Sequence, residues 1–200
     1  MHYFWRSVFI AGILLQVSLL IAQENPFPSQ VVEYRPAPGQ HINDSLTGIP
    51  ESAEKLTQGT DGLVSLGAFG GYIVLAFDHR IMNDPDNPYG VDFTIAGNAF
   101  SGSSEPGIVR VMKDENGNGL PDETWYEIAG SLHHSRIVKP DYSIFYHNQP
   151  DPDGNIPWKD DDGIRGFVYR NSYHEQPYYP MQEYFPEIRR DSLGFSGSLL

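Results

Sequence analysis

The sequence predicts an all-β fold: an antiparallel β-sandwich, jelly-roll-like, with long loops and at most one short helix. Short apolar runs alternate with clusters of Gly, Pro, Asn and Asp, which is the spacing of strands and turns. The chain carries 20 Gly and 16 Pro, and its 12 Tyr and 11 Phe are residues that sheets favour. No long amphipathic helix is present in the pattern to connect parallel strands, so the predicted sheets are antiparallel.

The predicted elements follow from local patterns along the chain. A Pro-rich segment at 23–40 leads into the first strand, and the helix pattern lies around 51–56. Strands are expected at 63–67, 72–77, 91–97, 108–112, 125–129, 136–138, 142–146 and 166–170, with loops at 84–90 and 151–163. Residues 193–200 have the pattern of a strand that stops midway, so we expect a longer natural polypeptide or a fragment.

The N-terminus has the pattern of a secretory signal peptide at residues 1–22. Arg6 precedes an apolar run over 8–22, and a small residue stands before the expected cleavage at Gln23. The run is short for a bilayer-spanning helix, which needs about 20 residues, so an uncleaved anchor is the alternative. We expect an exported protein, secreted or on the cell surface, with no membrane span after signal removal and with residues 23–200 forming a single domain.

Composition restricts the chemistry and the partners. The chain contains no Cys, which excludes disulfides, thiol catalysis and a lipid-modified N-terminal Cys. The formal net charge of −13 disfavours nucleic acid and anionic lipid as partners, and it suits cation binding.

The most specific motif lies in residues 114–123. Oxygen-bearing side chains recur at every second position, and a Gly then permits a sharp turn. This is the spacing of EF-hand-like Ca²⁺ loops, in which alternate positions supply side-chain oxygens and one position supplies a backbone carbonyl. The predicted calcium ligands are Asp114, Asn116, Asn118, the Leu120 carbonyl and Asp122.

The motif departs from an EF-hand in two respects. Trp125 stands where an EF-hand has its bidentate Glu, and Glu127 is the nearest replacement. The flanking residues also have strand patterns where an EF-hand has helices. We therefore expect a calcium loop that joins two β-strands and stabilises a long turn, the alternative being a polar hairpin turn without metal.

Several segments together carry a resemblance that covers most of the chain. They are residues 64–78, 91–100, 104–107 and 156–160, together with the calcium loop. In combination they resemble a domain of exported cell-surface proteins of Gram-negative gut-type bacteria, with a departure at Ala68, where a second Gly is common. The resemblance implies a jelly-roll-like sandwich displayed outside the cell, in some relatives beside uptake systems for glycans or cobalamin-like cofactors. It implies no catalytic residues.

Other chemistry-bearing residues give weaker signals. Residues 67–71 lack the helix and Lys of a phosphate-binding loop and predict a tight turn. His133 and His134 are adjacent, so on a strand they would point to opposite faces. No Gly-x-Ser-x-Gly motif is present, and acids are too numerous for any pair to identify a hydrolase. The acidic loop at 151–163 has a second calcium site as an alternative to a solvated turn, with Asp151, Asp153, Asn155 and Asp160 as its ligands.

Aromatic side chains cluster in the C-terminal third of the chain. Rings beside amide and carboxylate groups stack against sugars and planar ligands. Trp158, Tyr178 and Tyr179 are the predicted ligand contacts, the alternative being that these rings fill the core. The predicted function is a calcium-stabilised surface module that binds an extracellular glycan or an uptake-related small molecule, with an uptake system as a partner and without catalysis. The alternatives are a secreted hydrolase of polysaccharide or peptide and a structural module of a longer surface protein.

Overall fold

The computed structural model describes residues 25–59, 61–134 and 138–199, and these form an all-β arrangement of antiparallel sheets. The strands are β1 (Gln30–Arg35), β2 (Tyr72–Ala76), β3 (Arg110–Val111), β4 (Tyr126–Glu127), β5 (Lys139–His147), β6 (Ile156–Asp160), β7 (Arg165–Val168) and β8 (Ser192–Leu199). The helical segments are α1 (Pro50–Ala53), the 3₁₀ turns Glu54–Thr57 and Pro88–Gly90, and α2 (Ser131–His134). The predicted signal peptide lies outside the described residues. Within them, no helix has the length and apolar character needed to cross a membrane.

The largest sheet has four strands in the order β7-β6-β5-β8, while β1 pairs with β2 and β3 pairs with β4. Its inner strand β5 alternates between two faces over residues 142–147. Tyr142, Ile144 and Tyr146 are buried, whereas Phe145 and His147 are exposed. Because successive strand residues point to opposite faces, this alternation gives the sheet an inner face toward the core and an outer face toward solvent.

The core is assembled from two segments that are far apart in sequence. Every buried residue of the described chain lies within 34–53 or 142–195. The buried apolar residues that contact one another are Tyr34, Ala37, Ile42, Ala53, Tyr142, Ile144, Tyr146, Ile156, Tyr178, Tyr179, Phe185, Ile188, Leu193 and Phe195. The described residues between the two segments pack on this core or extend away from it.

The buried side chain of Asn43 links the two core segments. Its Nδ2 donates to the carbonyls of Pro177 at 2.7 Å and Tyr179 at 2.8 Å, and its Oδ1 accepts from the Met181 backbone N–H at 2.9 Å. Asn43 has a φ of +65°, in the left-handed region that Asn tolerates better than most residues. Each backbone group left unpaired in this environment would cost about 1–3 kcal/mol. The Asn43 side chain is therefore important because it supplies the hydrogen-bond partners of three backbone groups in this turn.

The predicted strand at 91–97 is wrong. Its alternating apolar residues Val91, Phe93 and Ile95 are all exposed, and the segment has no strand assignment. Alternation describes one face of a strand, but the backbone becomes a strand only where a partner completes its hydrogen bonds. Conversely, β6 lies inside the segment that was predicted as an acidic loop. Arg136 and Ile137, from another predicted strand, lie outside the described residues.

Gly70→Ala should destabilise the fold more than Gly102→Ala. Both glycines have positive φ, +90° and +83°, so alanine is strained at either position by about 1–2 kcal/mol. A Cβ on Gly70 would also lie 2.3 Å from the Cβ of Phe195, whereas a Cβ on Gly102 would meet nothing within 4 Å. Urea denaturation should show a loss of unfolding free energy of about 2–4 kcal/mol for G70A and about 1–2 kcal/mol for G102A. Equal losses would contradict the close packing of Gly70 on Phe195.

Candidate functional site

The predicted calcium loop joins β3 to β4. In this hairpin, Arg110 pairs with Glu127 and Val111 pairs with Tyr126. The prediction that strands flank the loop, in place of the helices of an EF-hand, is confirmed. The structure places all five predicted ligands in this one exposed loop; they are Asp114, Asn116, Asn118, Leu120 and Asp122.

The carboxylate of Asp114 organises the first half of the loop. Its Oδ1 accepts from the Gly117 N–H at 2.6 Å, and its Oδ2 accepts from the Gly119 N–H at 2.9 Å. Both glycines have positive φ, +73° and +71°, which brings their N–H groups round to the carboxylate. Each carboxylate oxygen has further lone pairs, so these bonds orient Asp114 without exhausting its capacity to accept.

The two asparagines continue this pattern. Asn116 Oδ1 accepts from the Asn118 N–H at 2.9 Å, and Asn118 Oδ1 accepts from the Leu120 N–H at 2.7 Å. Asn118 Nδ2 then donates to Asp122 Oδ2 at 3.0 Å. These hydrogen bonds hold the side-chain oxygens close to the loop backbone, and the oxygens follow one another in the order of the predicted ligands.

Glu123 is the residue that the sequence analysis missed. Its Oε1 accepts from the backbone N–H groups of Glu115 and Asn116, each at 3.2 Å, and so closes the loop from the far side. Its Oε2 is the one buried side-chain oxygen or nitrogen in the described residues that has no hydrogen-bond partner. A buried carboxylate oxygen is costly unless it is paired, and a cation is a group that would pair with it. The sequence signal was the acid beside Asp122, but the EF-hand pattern assigns no ligand to that position.

The donor types of the loop fit a hard cation, although its carboxylates are not tightly clustered. In the described part of the chain, three acidic side chains have oxygens within 4.8 Å of one another only at Asp160, Asp161 and Asp162. Ca²⁺ takes six to eight oxygens at about 2.3–2.6 Å, and amide and carbonyl oxygens serve as well as carboxylates. An ion in the loop would therefore use Asn116, Asn118 and the Leu120 carbonyl besides the acids.

The cluster at Asp160 belongs to the turn between β6 and β7. Asp160 is buried, and its Oδ1 accepts from the Ile164 N–H at 2.6 Å while its Oδ2 accepts from the Tyr142 hydroxyl at 3.2 Å. Burial, together with the Asp160 carboxylate, raises the pKa of Tyr142 to about 12. The Asp162 carboxylate accepts from the ammonium group of Lys139. These bonds account for the acids as parts of the fold.

The alternative calcium site in the acidic loop is not brought together. Asp153 accepts from the Arg170 guanidinium, and Asn155 Oδ1 accepts from the Arg170 backbone N–H at 2.9 Å. Asp160 stands at the opposite end of β6 from Asn155, roughly 16 Å along an extended strand. Asp153 and Asn155 are therefore bonded to Arg170, while Asp160 is bonded at the far end of the strand.

Glu127 fastens the hairpin to β8 and is not part of the calcium loop. Its Oε2 accepts from Ser198 Oγ at 2.8 Å and from Arg110 Nε and Nη2 at 3.2 and 3.1 Å, and its Oε1 lies 3.0 Å from His133 Nε2. Because His133 Nδ1 accepts from the Gly130 N–H at 2.9 Å, Nε2 carries the proton that is donated to Glu127. Burial acts to raise the pKa of the Glu127 carboxyl, but the hydrogen bonds from His133, Ser198 and Arg110 outweigh it and hold this pKa below its ordinary value.

The predicted ligand contacts are mostly core residues. Tyr178 and Tyr179 are 1% and 5% exposed, and the Tyr179 hydroxyl donates to the Arg189 carbonyl at 2.8 Å. Trp158 is partly buried against the same core, and its indole lies so close to β7 that a Cβ on Gly166 would be 2.5 Å from Trp158 Cζ2. The structure therefore favours the core for Tyr178 and Tyr179, whereas Trp158 packs against the core and also lines an open groove on the main sheet.

No protein-family model matches this chain, and no curated protein matches it by sequence. The site is accordingly interpreted from its own geometry.

Glu127→Gln should loosen the hairpin from β8. Because the folded-state pKa of Glu127 is lowered, the carboxylate contributes its full stabilisation above its ordinary pKa of 4.5 and loses it as the pH falls through the folded-state value. Glu127→Gln should therefore cost about 1–2 kcal/mol at pH 7 and flatten part of the loss of stability below about pH 4.5. Urea denaturation at pH 7 and at lower pH measures both effects. Glu183→Gln, which removes an exposed acid, is the control, and matching curves for the two variants would contradict the anchoring role of Glu127.

Proposed function

We propose that this chain is an exported cell-surface module that binds an extracellular ligand on a β-sandwich of jelly-roll type and is stabilised by Ca²⁺ in the loop at 114–123. The support for the fold is an all-β body with antiparallel sheets around one core. The observation that carries the metal is the buried, unpartnered Oε2 of Glu123 beside a loop of oxygen donors.

The residues that would hold Ca²⁺ are the predicted ligands Asp114, Asn116, Asn118, the Leu120 carbonyl and Asp122, with Glu123 added. Glu123 takes the role that Trp125 cannot fill, which is to supply a carboxylate from the end of the loop. A bound ion supplies a multivalent cross-link that favours the folded loop. The loop is already ordered by its own N–H bonds, and the Glu127 anchor connects it to β8.

Export is supported by the signal-peptide pattern at 1–22. The resemblance to exported surface proteins of Gram-negative gut-type bacteria points the same way and suggests a glycan or an uptake-related small molecule as the ligand. An uptake system is the partner that this location suggests.

We assign no catalytic residues. Within the described residues, Ser198, Glu127 and His133 form a serine–carboxylate–histidine group, but the carboxylate stands in the middle. Ser198 donates to Glu127, whose charge is already shared with Arg110, so no histidine accepts the serine proton as a nucleophile would require. This arrangement supports ligand binding over hydrolysis as the proposed function.

Calcium should raise the melting temperature of the purified protein. At a free Ca²⁺ concentration of 10 to 100 times the Kd, binding to the folded state alone stabilises by about 1.4–2.7 kcal/mol, or about 3–10 °C for a chain of this size. Asp114→Asn and Glu123→Gln should each reduce the rise, because each removes a carboxylate from the loop. Differential scanning fluorimetry with Ca²⁺ and with EDTA measures the effect.

Asp86→Asn is the matched control for this experiment, because Asp86 is an exposed loop acid whose side chain forms no hydrogen bond or ion pair with a described residue. It should keep the full response to Ca²⁺. A wild-type melt that is the same in Ca²⁺ and EDTA would remove the calcium site. If the Asp114→Asn variant kept the full rise in melting temperature with Ca²⁺, the calcium site would lie outside this loop.

Export should yield a mature chain that begins at Gln23. Expression of the full sequence in a Gram-negative host, fractionation and N-terminal mass spectrometry test this directly. An intact N-terminus in the membrane fraction would support the uncleaved anchor, and an intact N-terminus in the cytoplasm would contradict export.

A further inference from the structure

The outer face of the four-stranded sheet carries an ordered row of side chains. Phe145 of β5 pairs with Lys159 of β6, which in turn pairs with Arg165 of β7. The next pair along these strands is Pro157 with Phe167. Since neighbouring strands lie about 4.8 Å apart, the row of three spans about 10 Å.

Lys159 and Arg165 are opposed cations without partners. Both are exposed, and neither forms an ion pair or a side-chain hydrogen bond with any described residue. Like charges directly opposite one another destabilise a sheet. The chain has 26 acidic residues, yet the two that follow β6 are engaged elsewhere: Asp161 accepts from the Ser143 N–H, and Asp162 binds Lys139. The fold thus leaves a positive site on a strongly acidic protein.

Aromatic rings lie on both sides of the two cations. Phe145 and Phe167 are each 49% exposed. The ring of Phe145 lies over β8, because a Cβ on Gly194 would be 2.9 Å from Phe145 Cδ1. The ring of Phe167 is 5.9 Å from that of Tyr169, at an angle of 45°. Exposed rings held against a sheet offer flat apolar surfaces at small entropic cost.

The two cations and the ring of Phe167 border one open groove of about 430 Å³. Lys159, Arg165 and Phe167 line it together with His147, Pro157, Trp158 and Gly166. A ligand seated there would meet positive charge and an apolar ring within one sugar length of each other.

We propose that this outer face binds an acidic polysaccharide, a chain of uronate sugars. The sugar carboxylates pair with Lys159 and Arg165, which relieves the repulsion between the two cations. The apolar faces of the sugar rings stack on Phe145 and Phe167. An acidic peptide would satisfy the cations but has no rigid ring for the aromatic side chains. The inference rests on the proposed ligand-binding function and specifies the ligand class.

Four matched tetramers test the ligand class by isothermal titration calorimetry against the full chain. They are tetragalacturonate, its methyl ester, neutral galactotetraose and tetraglutamate. We expect tetragalacturonate to bind at least 10-fold more tightly than each of the others. The double variant Lys159→Gln/Arg165→Gln and the variant Phe167→Ala should each weaken its binding at least 10-fold.

The control is Lys55→Gln/Arg80→Gln, which removes the same charge from exposed side chains outside the outer face and should bind as the parent does. Circular dichroism melts of all variants verify that each is folded. Since Lys159→Gln/Arg165→Gln removes a repulsion, it should melt no lower than the parent.

Five results would overturn the inference, and three of them concern how tetragalacturonate binding compares among variants and ligands. These three are tetragalacturonate binding that the outer-face variants leave unchanged, equal binding of the methyl ester, and equal binding of tetraglutamate, which would indicate an acidic protein partner. Binding of galactotetraose alone would overturn this inference and leave the proposed ligand-binding function standing. If the folded, calcium-responsive protein bound none of the four tetramers, the inference would be overturned. An uptake-related small molecule would then be the proposed ligand.

Discussion

The fold depends on the closure of its core by Asn43. The two segments that supply the buried residues are separated by the 88 residues of 54–141, and a loop of that length gives no local assistance to their meeting. The amide of Asn43 offers two donors and an acceptor that match three backbone groups of the 177–181 turn, so its position is fixed by hydrogen bonds as well as by burial. Once that turn is fixed, Tyr178 and Tyr179 lie in the core and the inner face of the main sheet is covered. The outer face is left as the surface that meets solvent.

A second constraint joins the loop at 114–123 to this body. The β3–β4 hairpin has only two residues in each strand, which is too little pairing to hold a long loop in place. The carboxylate of Glu127 compensates, since it accepts from Arg110 within the hairpin and from Ser198 on β8. β8 is in turn the edge strand of the main sheet and pairs along the length of β5. An ion that orders the loop would thus stabilise an element that is tied to the sheet by one polar anchor.

The sequence predicts elements that are decided locally and misses those decided at a distance. Strands β2, β5 and β7, the short helix near 51–56 and the strand flanks of the calcium loop follow from alternation and turn residues, and all are present within a few positions of their predicted bounds. The segment 91–97 has the same alternation as β5 but no partner, so the pattern there does not become a strand. β6 was hidden because Pro157 and the acids around it are typical of a loop, and only its pairing with β5 and β7 on either side makes it a strand.

The candidate sites also combine features that local sequence patterns predict with features that only the folded structure determines. The oxygen spacing from Asp114 to Asp122 is a local pattern, and the loop that contains it forms where the motif predicts. Two features depend on which groups meet after folding: the unpaired oxygen of Glu123 and the hydrogen bond between Glu127 and Ser198 of β8. Residue spacing in the sequence does not predict either of them. The aromatic residues show the converse error, because a cluster in sequence says nothing about which rings are buried. Trp158 and Phe167 lie on adjacent strands, yet one packs against the core and the other faces solvent, and this difference is one of strand register.

Two local conflicts of opposite charge stand out among the described residues. One is the buried carboxylate oxygen of Glu123, and the other is the opposed pair Lys159 and Arg165. They lie on separate elements, each held by its own strand or loop, so the fold does not neutralise one with the other. Elsewhere the fold pairs its buried polar groups, as at Asp160 and Asn43. Local conflicts that a fold leaves unresolved are expected at functional sites, and these two are candidates for such sites. The sign of each conflict then specifies its partner: a cation for the loop and an anion for the outer face.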